Sequence, residues 1–566
     1  MSLSSYLVTD DLTVILGLAA AGLFLLHNLY KPQSLVHPIL LGRQSDVARV
    51  RNPGESAVYR NYSTGMMGRF PVRPNKEQQL LKDLVRPELD NPRTLWSRKI
   101  TNPELLKRVS AFGTGLIKVV GLVPQDSNVL LLLNDGLEFL IADLALSLHS
   151  IPSFTLTSSA LLSQVLDDHP PSAIITHASF LPQLLELVYD ANEDSHHTII
   201  VVGDPDEKVL RSSGQARLLR WDDIEGQGAG TEPVQTPAPE PKEVFTVSFY
   251  STPSGELHGA QLTHENITAG ITAIRALLPS SGSLSALDTL VSSYSLSSAF
   301  GRAVAYTAIF EGTNFATLAS SKIIDTDADV ARDLSDLQTT ERYPIPSPTV
   351  LFVQPSHLNA LTQAITQHAK SSGLLYSIAW RHKMSNMLEG FMTKLSLWDR
   401  FIFDPARVAV LGKGAGTIRA IVISGGGLES QALAPSRIAL SIPLISAYTH
   451  PLVAGPVLAS HPLDLQTLPA EATPSSSASA ADTYAFTYLA PVGSPVINIE
   501  AKLTGLDDQA VENGADPIGS LWLRGPSVGS LLDVEEAEGE GKGWVETGHK
   551  ARVLANGTFK VVSAKQ

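Results

Sequence analysis

The sequence contains no cysteine among its 566 residues. This absence excludes a disulfide framework, a zinc–thiolate centre and a cysteine nucleophile, and it suits a protein that faces the cytosol. A long basic run is also absent, since 42 Lys and Arg stand against 56 Asp and Glu and leave a net charge of −14. Proteins that bind nucleic acids usually carry a basic stripe, so this balance argues against a nucleic-acid partner.

Long apolar runs are missing except for one near the N-terminus, Leu12–Leu29. A bilayer core is spanned by about 20 apolar residues, so the run is just long enough. Two aspartates precede it and Lys31 follows it, which by the positive-inside rule places the rest of the chain in the cytosol. The alternative is a cleaved signal peptide, but a basic n-region and a small-residue cleavage site are lacking. We therefore predict that residues 1–31 are a transmembrane anchor.

The remaining chain is too long for a single core, and its patterns predict several subdomains. Residues 32–95 are dotted with Pro and Arg, show little periodicity, and are interpreted as a lead-in segment. Beyond them, helical patterns at 103–120 and 136–149 alternate with short apolar runs at 128–133, 173–176 and 198–202, which predicts parallel sheets covered by helices on both faces. Residues 226–242 and 468–482 are rich in Pro, Ala, Ser, Gly or Glu and are expected to be disordered insertions.

The most informative stretch is Phe249–Asn266, FYSTPSGELHGAQLTHEN. A Ser/Thr/Gly-rich turn before a helix start is a common way to present backbone N–H groups to phosphate oxygens. The stretch resembles the signature loop of adenylate-forming enzymes, [YF]-T-S-G-T-T-G-x-P-K-G-x-x-L-T-H-x-N. His258 stands where that family has a lysine, and Pro253 removes a backbone donor from the turn. Because histidine is mostly neutral at pH 7, the loop has lost a fixed positive charge.

Further spans resemble the same family in the same order, most closely its long-chain acyl-CoA synthetases. They are Ser293–Arg302, Pro348–Pro355, Trp398–Phe403, Ile418–Leu428, Val492–Leu503, Gly519–Pro526 and Gly543–Gly557. The resemblance covers residues 85–566 and implies the N-terminal region of an adenylate-forming enzyme. It implies an α/β fold with two parallel α/β subdomains over residues 96–450 and a smaller β-rich subdomain over 451–566, preceded by the one transmembrane helix.

Members of this family form an acyl-AMP from a fatty acid and ATP and then exchange AMP for CoA, usually with Mg²⁺. Fixed cations and a metal ion stabilise the charge that develops at the α-phosphorus. In this chain Leu452 stands at the position of the magnesium-linked glutamate, and His549 at that of the ribose-binding aspartate. The sequence stops at Gln566, where the resemblance places a C-terminal domain that carries the adenylation lysine. We therefore expect no intact catalytic or metal-binding residue.

The candidate nucleotide-binding residues follow from the motif positions. They are Ser251, Thr252, Ser254, Gly255, His258, Gly259, Gly426, Gly427, Tyr448 and His549. The glycine run at 425–427 either admits an adenine ring by close backbone approach or forms a tight turn, and Tyr448 either stacks on adenine or packs in the core. ATP or AMP stays a candidate ligand, whereas the substitutions argue against Mg²⁺ and CoA.

Three hypotheses for the function remain open. The first is a membrane-anchored, catalytically degenerate acyl-CoA synthetase-like protein of lipid metabolism. It would lie on the cytosolic face of the endoplasmic reticulum and bind a fatty acid, an acyl-CoA, a nucleotide or an active synthetase partner. The second is an active long-chain fatty-acid–CoA ligase in which His258 replaces the phosphate-binding cation. The third is a non-catalytic membrane scaffold.

Overall fold

The computed structural model describes residues 11–29, 33–190, 198–206, 217–324, 329–339, 344–466, 486, 488–532, 534 and 542–562. The helices in these ranges are Asp11–Leu29 (α1), Pro38–Leu41 (α2), Tyr62–Met67 (α3), Asn102–Gly115 (α4), Leu137–Leu148 (α5), Leu162–Asp168 (α6), Leu181–Asp190 (α7), Trp221–Ala229 (α8), His264–Arg275 (α9), Ala299–Glu311 (α10), Val330–Thr339 (α11), Pro355–Lys370 (α12), Leu374–Leu388 (α13), Asp404–Leu411 (α14), Gly414–Thr417 (α15), Ser430–Leu440 (α16) and Asp508–Glu512 (α17).

The strands in the same ranges are short and form three sheets. They are Ser45–Arg49 (β1), Val58–Asn61 (β2), Arg93–Leu95 (β3), Arg98–Ile100 (β4), Val129–Leu132 (β5), Ser153–Leu156 (β6), Ala173–His177 (β7), Thr198–Val202 (β8), Arg217–Arg220 (β9), Val244–Ser251 (β10), Leu257–Thr263 (β11), Thr289–Ser292 (β12), Asn314–Thr317 (β13), Val350–Val353 (β14), Ala420–Ile423 (β15), Leu444–Thr449 (β16), Pro456–Ala459 (β17), Ser494–Pro495 (β18), Glu500–Thr504 (β19), Ile518–Arg524 (β20), Ser530–Leu531 (β21), Val545–Val553 (β22) and Phe559–Val562 (β23).

Two of the sheets are largely parallel. The order is β18-β17-β16-β15-β14-β12-β13-β3-β4 in one and β21-β11-β10-β6-β5-β7-β8-β9 in the other. Central strands such as β5, β14 and β15 are buried at every position, as expected where helices cover both faces of a parallel sheet. The predicted pair of parallel α/β units is confirmed. A buried polar contact joins them, because Tyr306 on α10 donates a hydrogen bond to Asp143 on α5 over 2.8 Å.

The third sheet is antiparallel, with the order β1-β2-β19-β20-β22-β23. Along β20, buried residues alternate with partly exposed ones, which is the pattern of a sheet with one face on the core and one toward solvent. Its first two strands lie within residues 32–95, where Arg60 of β2 pairs with Glu500 of β19. Residues 32–95, interpreted as a lead-in segment, thus supply the first two strands of this sheet. Strand pairing of this kind depends on partners more than 400 residues away and leaves little local signal.

Residues 226–242 are also ordered, contrary to the expected disordered insertion. Helix α8 extends to Ala229, and Gly228 lies so close to α4 that a Cβ there would collide with the carbonyl oxygen of Ala111. Beyond the helix, the backbone N–H of Val234 donates to the Thr114 hydroxyl over 3.3 Å. Glycine here serves close helix packing. The other predicted insertion, 468–482, lies outside the described residues.

The N-terminal apolar run forms helix α1. Side chains along it, including Leu12, Leu18 and Phe24, are more than 60% exposed. Nevertheless, within the described ranges no helix combines the length and the apolarity that a bilayer crossing demands. The predicted transmembrane span is therefore not confirmed.

Candidate functional site

The loop that carries most of the predicted nucleotide-binding residues is a β-hairpin. Strand β10 ends at Ser251, the chain turns through residues 252–256, and β11 returns antiparallel with Tyr250 opposite His258 and Phe249 opposite Gly259. The turn is followed by a seven-residue strand before helix α9 begins at His264. The predicted phosphate-loop turn therefore does not lead directly into the helix N-terminus.

The polar groups of this turn bond largely to each other. The N–H of Thr252 donates to the Glu256 carbonyl over 2.9 Å, and the N–H of Gly255 donates to the Thr252 carbonyl over 2.9 Å. The hydroxyls of Thr252 and Ser254 lie 2.8 Å apart, and the N–H of Glu256 donates to the Thr252 hydroxyl. Because Pro253 has no N–H, few donors of the turn are left for an anionic ligand.

His258 replaces the family lysine on β11, and its side chain is about one-third exposed. Its Nε2 lies 3.8 Å from the carboxylate of Glu256, which is itself 74% exposed. A carboxylate close to the imidazole partly neutralises any positive charge that His258 could offer to a phosphate. The residue that should supply a cation therefore has an acidic neighbour.

The glycine turn follows strand β15 and is the second predicted element of the site. A Cβ on Gly427 would lie 2.8 Å from a methyl group of Leu489, and one on Gly426 would lie 3.6 Å from Pro355. Leu489 is held there by backbone pairing of its segment with residues 428–430. Leu489 thus fills the space beside Gly427 that an adenine ring would need. This favours the interpretation of the glycine run as a tight turn.

Tyr448 on β16 and His549 on β22 are in direct contact. The Tyr448 hydroxyl lies 2.6 Å from Nδ1 of His549, and their ring centroids are 5.7 Å apart. Burial raises the pKa of the Tyr448 hydroxyl above its usual range and lowers the pKa of His549. Both groups are therefore neutral at pH 7, and the position of a ribose-binding carboxylate holds a neutral imidazole bonded to a phenol.

His450 and Tyr250 complete a row of aromatic rings between the three sheets. The His450 ring lies 5.8 Å from His549 and 6.5 Å from Tyr250, and Tyr250 lies 5.8 Å from His258. The row therefore brings together three predicted site residues, namely His258, Tyr448 and His549. The glycine turn lies beside this row. The hydroxyl of Ser424, which directly precedes the turn, lies 3.4 Å from the hydroxyl of Thr449, the residue after Tyr448.

His450 is fixed as a neutral imidazole. Its Nε2 lies 3.2 Å from the Thr547 carbonyl, to which it can only donate, and its Nδ1 accepts from the N–H of Leu452. Burial lowers its pKa to about 3. Neither ring nitrogen is thus available to a phosphate or a metal ion.

Leu452, at the position of the magnesium-linked glutamate, is 1% exposed. It packs with Tyr250 and Ala260 in a small apolar cluster, against which Leu531 and Val545 also lie. Mg²⁺ is bound by oxygen ligands, usually carboxylates and waters. This surrounding does not fit the ion, and no group of three or more His, Asp or Glu among the described residues could hold a metal.

Tyr250 and His450 were not among the predicted site residues. Tyr448 lies on β16, and His450 directly follows the last residue of that strand. Because residues two apart in an extended chain lie on the same face, the Tyr448-x-His450 spacing was a usable signal. The role of Tyr250 depends on the hairpin register, which the sequence alone did not give. His264, the histidine of the Leu-Thr-His run, lies in the core, where its Nδ1 accepts from the N–H of Leu81 over 3.2 Å.

Comparison with solved structures shows the same fold. An anthranilate CoA ligase in complex with anthranoyl-AMP superposes with a TM-score of 0.59 at 17% identity, covering 87% of this chain and 78% of that one. A long-chain-fatty-acid-CoA ligase (FadD1) from Archaeoglobus fulgidus gives a TM-score of 0.57 at 13% identity, covering 87% and 85%. At these identities the likeness concerns the fold.

Comparison of sequences points the same way. The mouse long-chain-fatty-acid–CoA ligase 5 is 23% identical over 456 residues, which are 78% of this chain and 60% of that protein. The human ligase 1 is 26% identical over 335 residues, 58% of this chain and 42% of that protein. The chain thus spans about 60% of the length of the first of these relatives. The family described as AMP-binding enzyme matches residues 86–457, and the chain belongs to this family of AMP-binding enzymes.

Proposed function

We propose that the protein is a long-chain acyl-CoA synthetase-like member of the AMP-binding family whose ligase activity is lost or strongly reduced. The observation that carries this proposal is Leu452, buried in an apolar cluster at the position of the metal-linked acid. The described residues around Leu452 are apolar, and among the described residues no group of three or more His, Asp or Glu could hold a metal. Leu452 cannot contribute the ligand by which the family position helps to hold an ion that stabilises charge at the α-phosphorus.

The neighbouring groups support the same proposal. His450 and His549 are both neutral at pH 7 because burial lowers the pKa of each. Removal of one charged contact to a transition state typically reduces the rate by about 10²–10³-fold. With the lysine, the glutamate and the aspartate of the family pattern all replaced, we expect acyl-AMP formation to be slower than in an active relative by several orders of magnitude. Such effects are not additive.

The role that remains is binding. We propose that the fold holds a fatty acid or acyl-CoA, or ATP or AMP without turnover, and acts on lipid metabolism by regulation of an active synthetase. The family likeness supports an acyl ligand, and the aromatic row supports stacking of a base beside Tyr448. We also propose that exposed apolar residues of α1 attach the protein to the endoplasmic reticulum membrane with its body in the cytosol.

The test is mass-spectrometric detection of oleoyl-AMP and oleoyl-CoA from the purified protein with ATP, Mg²⁺ and CoA, beside an active long-chain ligase. Neither product is expected from this chain. Acyl-AMP alone would mean that the first half-reaction survives, and both products would establish an active ligase and refute the proposal. In that case a His258→Ala variant should lose most of the activity if His258 is the phosphate-binding cation.

Binding is tested separately by the shift in melting temperature with AMP, ATP or oleoyl-CoA. A ligand that binds only the folded state stabilises it by RT ln(1 + L/Kd), where L is the ligand concentration, and therefore raises the melting temperature as L increases. His549→Ala should reduce a nucleotide-dependent shift, whereas His368→Ala, an exposed histidine on helix α12, should leave it unchanged. No shift with any of the three ligands would reject the binding role and favour a membrane scaffold.

A further inference from the structure

An exposed apolar face is formed by helix α13 and the segment that follows it, neither of which belongs to the candidate nucleotide site. Leu374 is 85% exposed, Ile378 52% and Phe401 70%. Single exposed apolar residues are common on soluble proteins, but a contiguous group of them marks an interaction site. We call this group the α13 patch. Its members are Leu374, Leu375, Ile378, Leu388, Leu397 and Phe401.

Helical spacing and one ring contact place the two halves of the α13 patch side by side. Leu374, Ile378 and His382 are four residues apart along α13 and therefore lie on one face. The His382 ring lies 6.3 Å from the ring of Trp398. Phe401 is three residues beyond Trp398, within the helical turn Asp399–Phe403 that leads into α14. The ring contact therefore brings the segment that contains Phe401 beside the exposed face of α13.

The opposite face of α13 is fixed to the body, which makes the patch a rigid surface. Lys383 on that face lies 2.5 Å from Asp399 and also donates to the Thr393 carbonyl over 3.1 Å. Arg407 lies 2.9 Å from Asp399 as well. All three charged groups are buried. A buried network of this kind holds helix and segment in one arrangement, with the apolar side chains left outside.

Positive charge borders the patch. Arg381 follows Ile378 by three residues on the same face of α13, and Arg400 directly precedes Phe401; both side chains are exposed. Of the nearby acidic groups, Asp404 pairs with Arg407 over 2.7 Å, and Glu389 is exposed at the C-terminal end of α13. Apolar side chains with arginines beside them match the interface of a bilayer that contains anionic lipids.

The α13 patch borders the segment around Ser34 and Leu35, which comes after helix α1 in the sequence. The N–H of Leu35 donates to the carbonyl of Gly390 over 2.9 Å, and a Cβ on Gly390 would lie 3.0 Å from the Cβ of Ser34. Gly390 follows Leu388, the last patch residue on α13. The segment that leads away from apolar helix α1 therefore meets the body at the edge of the α13 patch.

We propose that the α13 patch docks on a lipid bilayer, with its apolar side chains in the interfacial region and Arg381 and Arg400 among anionic headgroups. This inference rests in part on the proposed attachment through α1, which would bring the same face of the body to the membrane. Two attachment points fix the orientation of the protein, whereas one helix alone leaves the body free to rotate.

The absence of cysteine makes a site-specific test direct. A single cysteine at Phe401 or, as a matched control, at Val123 is labelled with an environment-sensitive fluorophore in the full chain. Val123 is 50% exposed and lies in the loop before β5. The vesicles are phosphatidylcholine alone or phosphatidylcholine with phosphatidylserine. We expect a blue shift of the label at position 401 with the anionic vesicles and none at position 123.

Variants of the α13 patch measure its contribution to the affinity for vesicles. Phe401→Glu should lower it by about tenfold or more, because an apolar ring is lost and an anion gained. Arg400→Gln and Arg381→Gln should each lower it about fivefold on phosphatidylserine vesicles and leave it unchanged on neutral ones. Hydrogen exchange of residues 374–388 should slow on vesicle binding in the unlabelled protein.

Other outcomes would overturn the proposal in distinguishable ways. If the protein floats with vesicles but the label at Phe401 does not shift, attachment is through α1 alone and the patch has another role. If the shift appears without vesicles and grows with protein concentration, the partner is a second copy of the chain. If the protein does not float at all, both the patch docking and the proposed membrane attachment through α1 fail.

Discussion

Acid sensitivity of the fold follows from His264, a buried residue at the start of helix α9. Its side chain is 1% exposed, its Nδ1 accepts from the N–H of Leu81, and its ring stacks on Phe245 with centroids 5.2 Å apart. Burial lowers its pKa from 6.5 to about 4. The protonated form would lose the Leu81 hydrogen bond and place a charge in the core.

The direction of the effect is fixed by proton linkage. Between the unfolded pKa of 6.5 and the folded pKa of about 4, the unfolded chain binds a proton that the folded chain does not. Stability is therefore fully present above pH 6.5 and is lost as the pH falls toward 4. Each pH unit in this window costs about 1.4 kcal/mol, so lowering the pH from 7 to about 5 removes ~2 kcal/mol through His264 alone. His450, with a pKa of about 3, removes a similar amount.

The assay is urea unfolding at about pH 7 and about pH 5, with the free energy of unfolding compared between variants. His264→Asn keeps a hydrogen-bond acceptor near the Nδ1 position and removes the titration. We expect this variant to lose ~2 kcal/mol less than the parent protein between the two pH values. His368→Asn, on the exposed side of α12, should behave like the parent. Equal pH dependence in His264→Asn and the parent would refute the reasoning.

Two further predictions concern packing and buried charge. A Cβ on Gly270 of α9 would collide with a neighbouring backbone carbonyl, so Gly270→Ala should destabilise by about 1–3 kcal/mol. Gly226→Ala in α8, where nothing lies within 4 Å, should be neutral or stabilise by up to about 1 kcal/mol; equal denaturation midpoints for the two variants would contradict this. Asp399→Asn should cost about 3–5 kcal/mol because the buried cation of Lys383 loses its partner. Asp404→Asn, whose side chain is 42% exposed, should cost less than about 1 kcal/mol in the same unfolding assay.

Local patterns predicted much of the α/β body. The apolar run 128–133 became β5, Val129–Leu132, and the run 198–202 became β8 without change. The helix expected at 136–149 spans Leu137–Leu148. In each case an apolar run with the length of a helix or of a strand is flanked by polar turn residues. Because these elements are buried on both faces, the length of the run decides which of the two it forms.

Predictions failed where distant parts of the chain decide the outcome. Strand β2 pairs with β1 and with β19, where Tyr59 lies opposite Ala501, a register that no local pattern encodes. Composition was misleading at 226–242, because glycine there permits the contact of α8 with α4. Contacts between distant parts of the chain also decide the arrangement of the candidate site. Motif matches located His258, Tyr448 and His549, but the hairpin register and the row of rings that joins these residues emerged only in three dimensions.

Charge is placed differently in the core and in the candidate site, and the contrast bears on function. In the core, Arg302 and Asp143 lie 3.6 Å apart and are almost completely buried, and Lys383 pairs with Asp399. Each of these ionic contacts joins two different segments of the chain. Removal of one partner would leave a buried charge unpaired.

The candidate site has the opposite character. Leu452 is apolar, and His450 and His549 are neutral at pH 7 because burial lowers the pKa of each. Stabilisation of a developing phosphoryl charge needs ions that are fixed before the reaction begins. Lowering the pH does not supply such an ion through His450, which becomes charged only near pH 3, where loss of the His264 contribution has already weakened the fold. We therefore expect that acidification of the assay does not raise the yield of acyl-AMP through His450, and a yield that rises between pH 7 and about 5 would show that another histidine of this row can act as the missing cation.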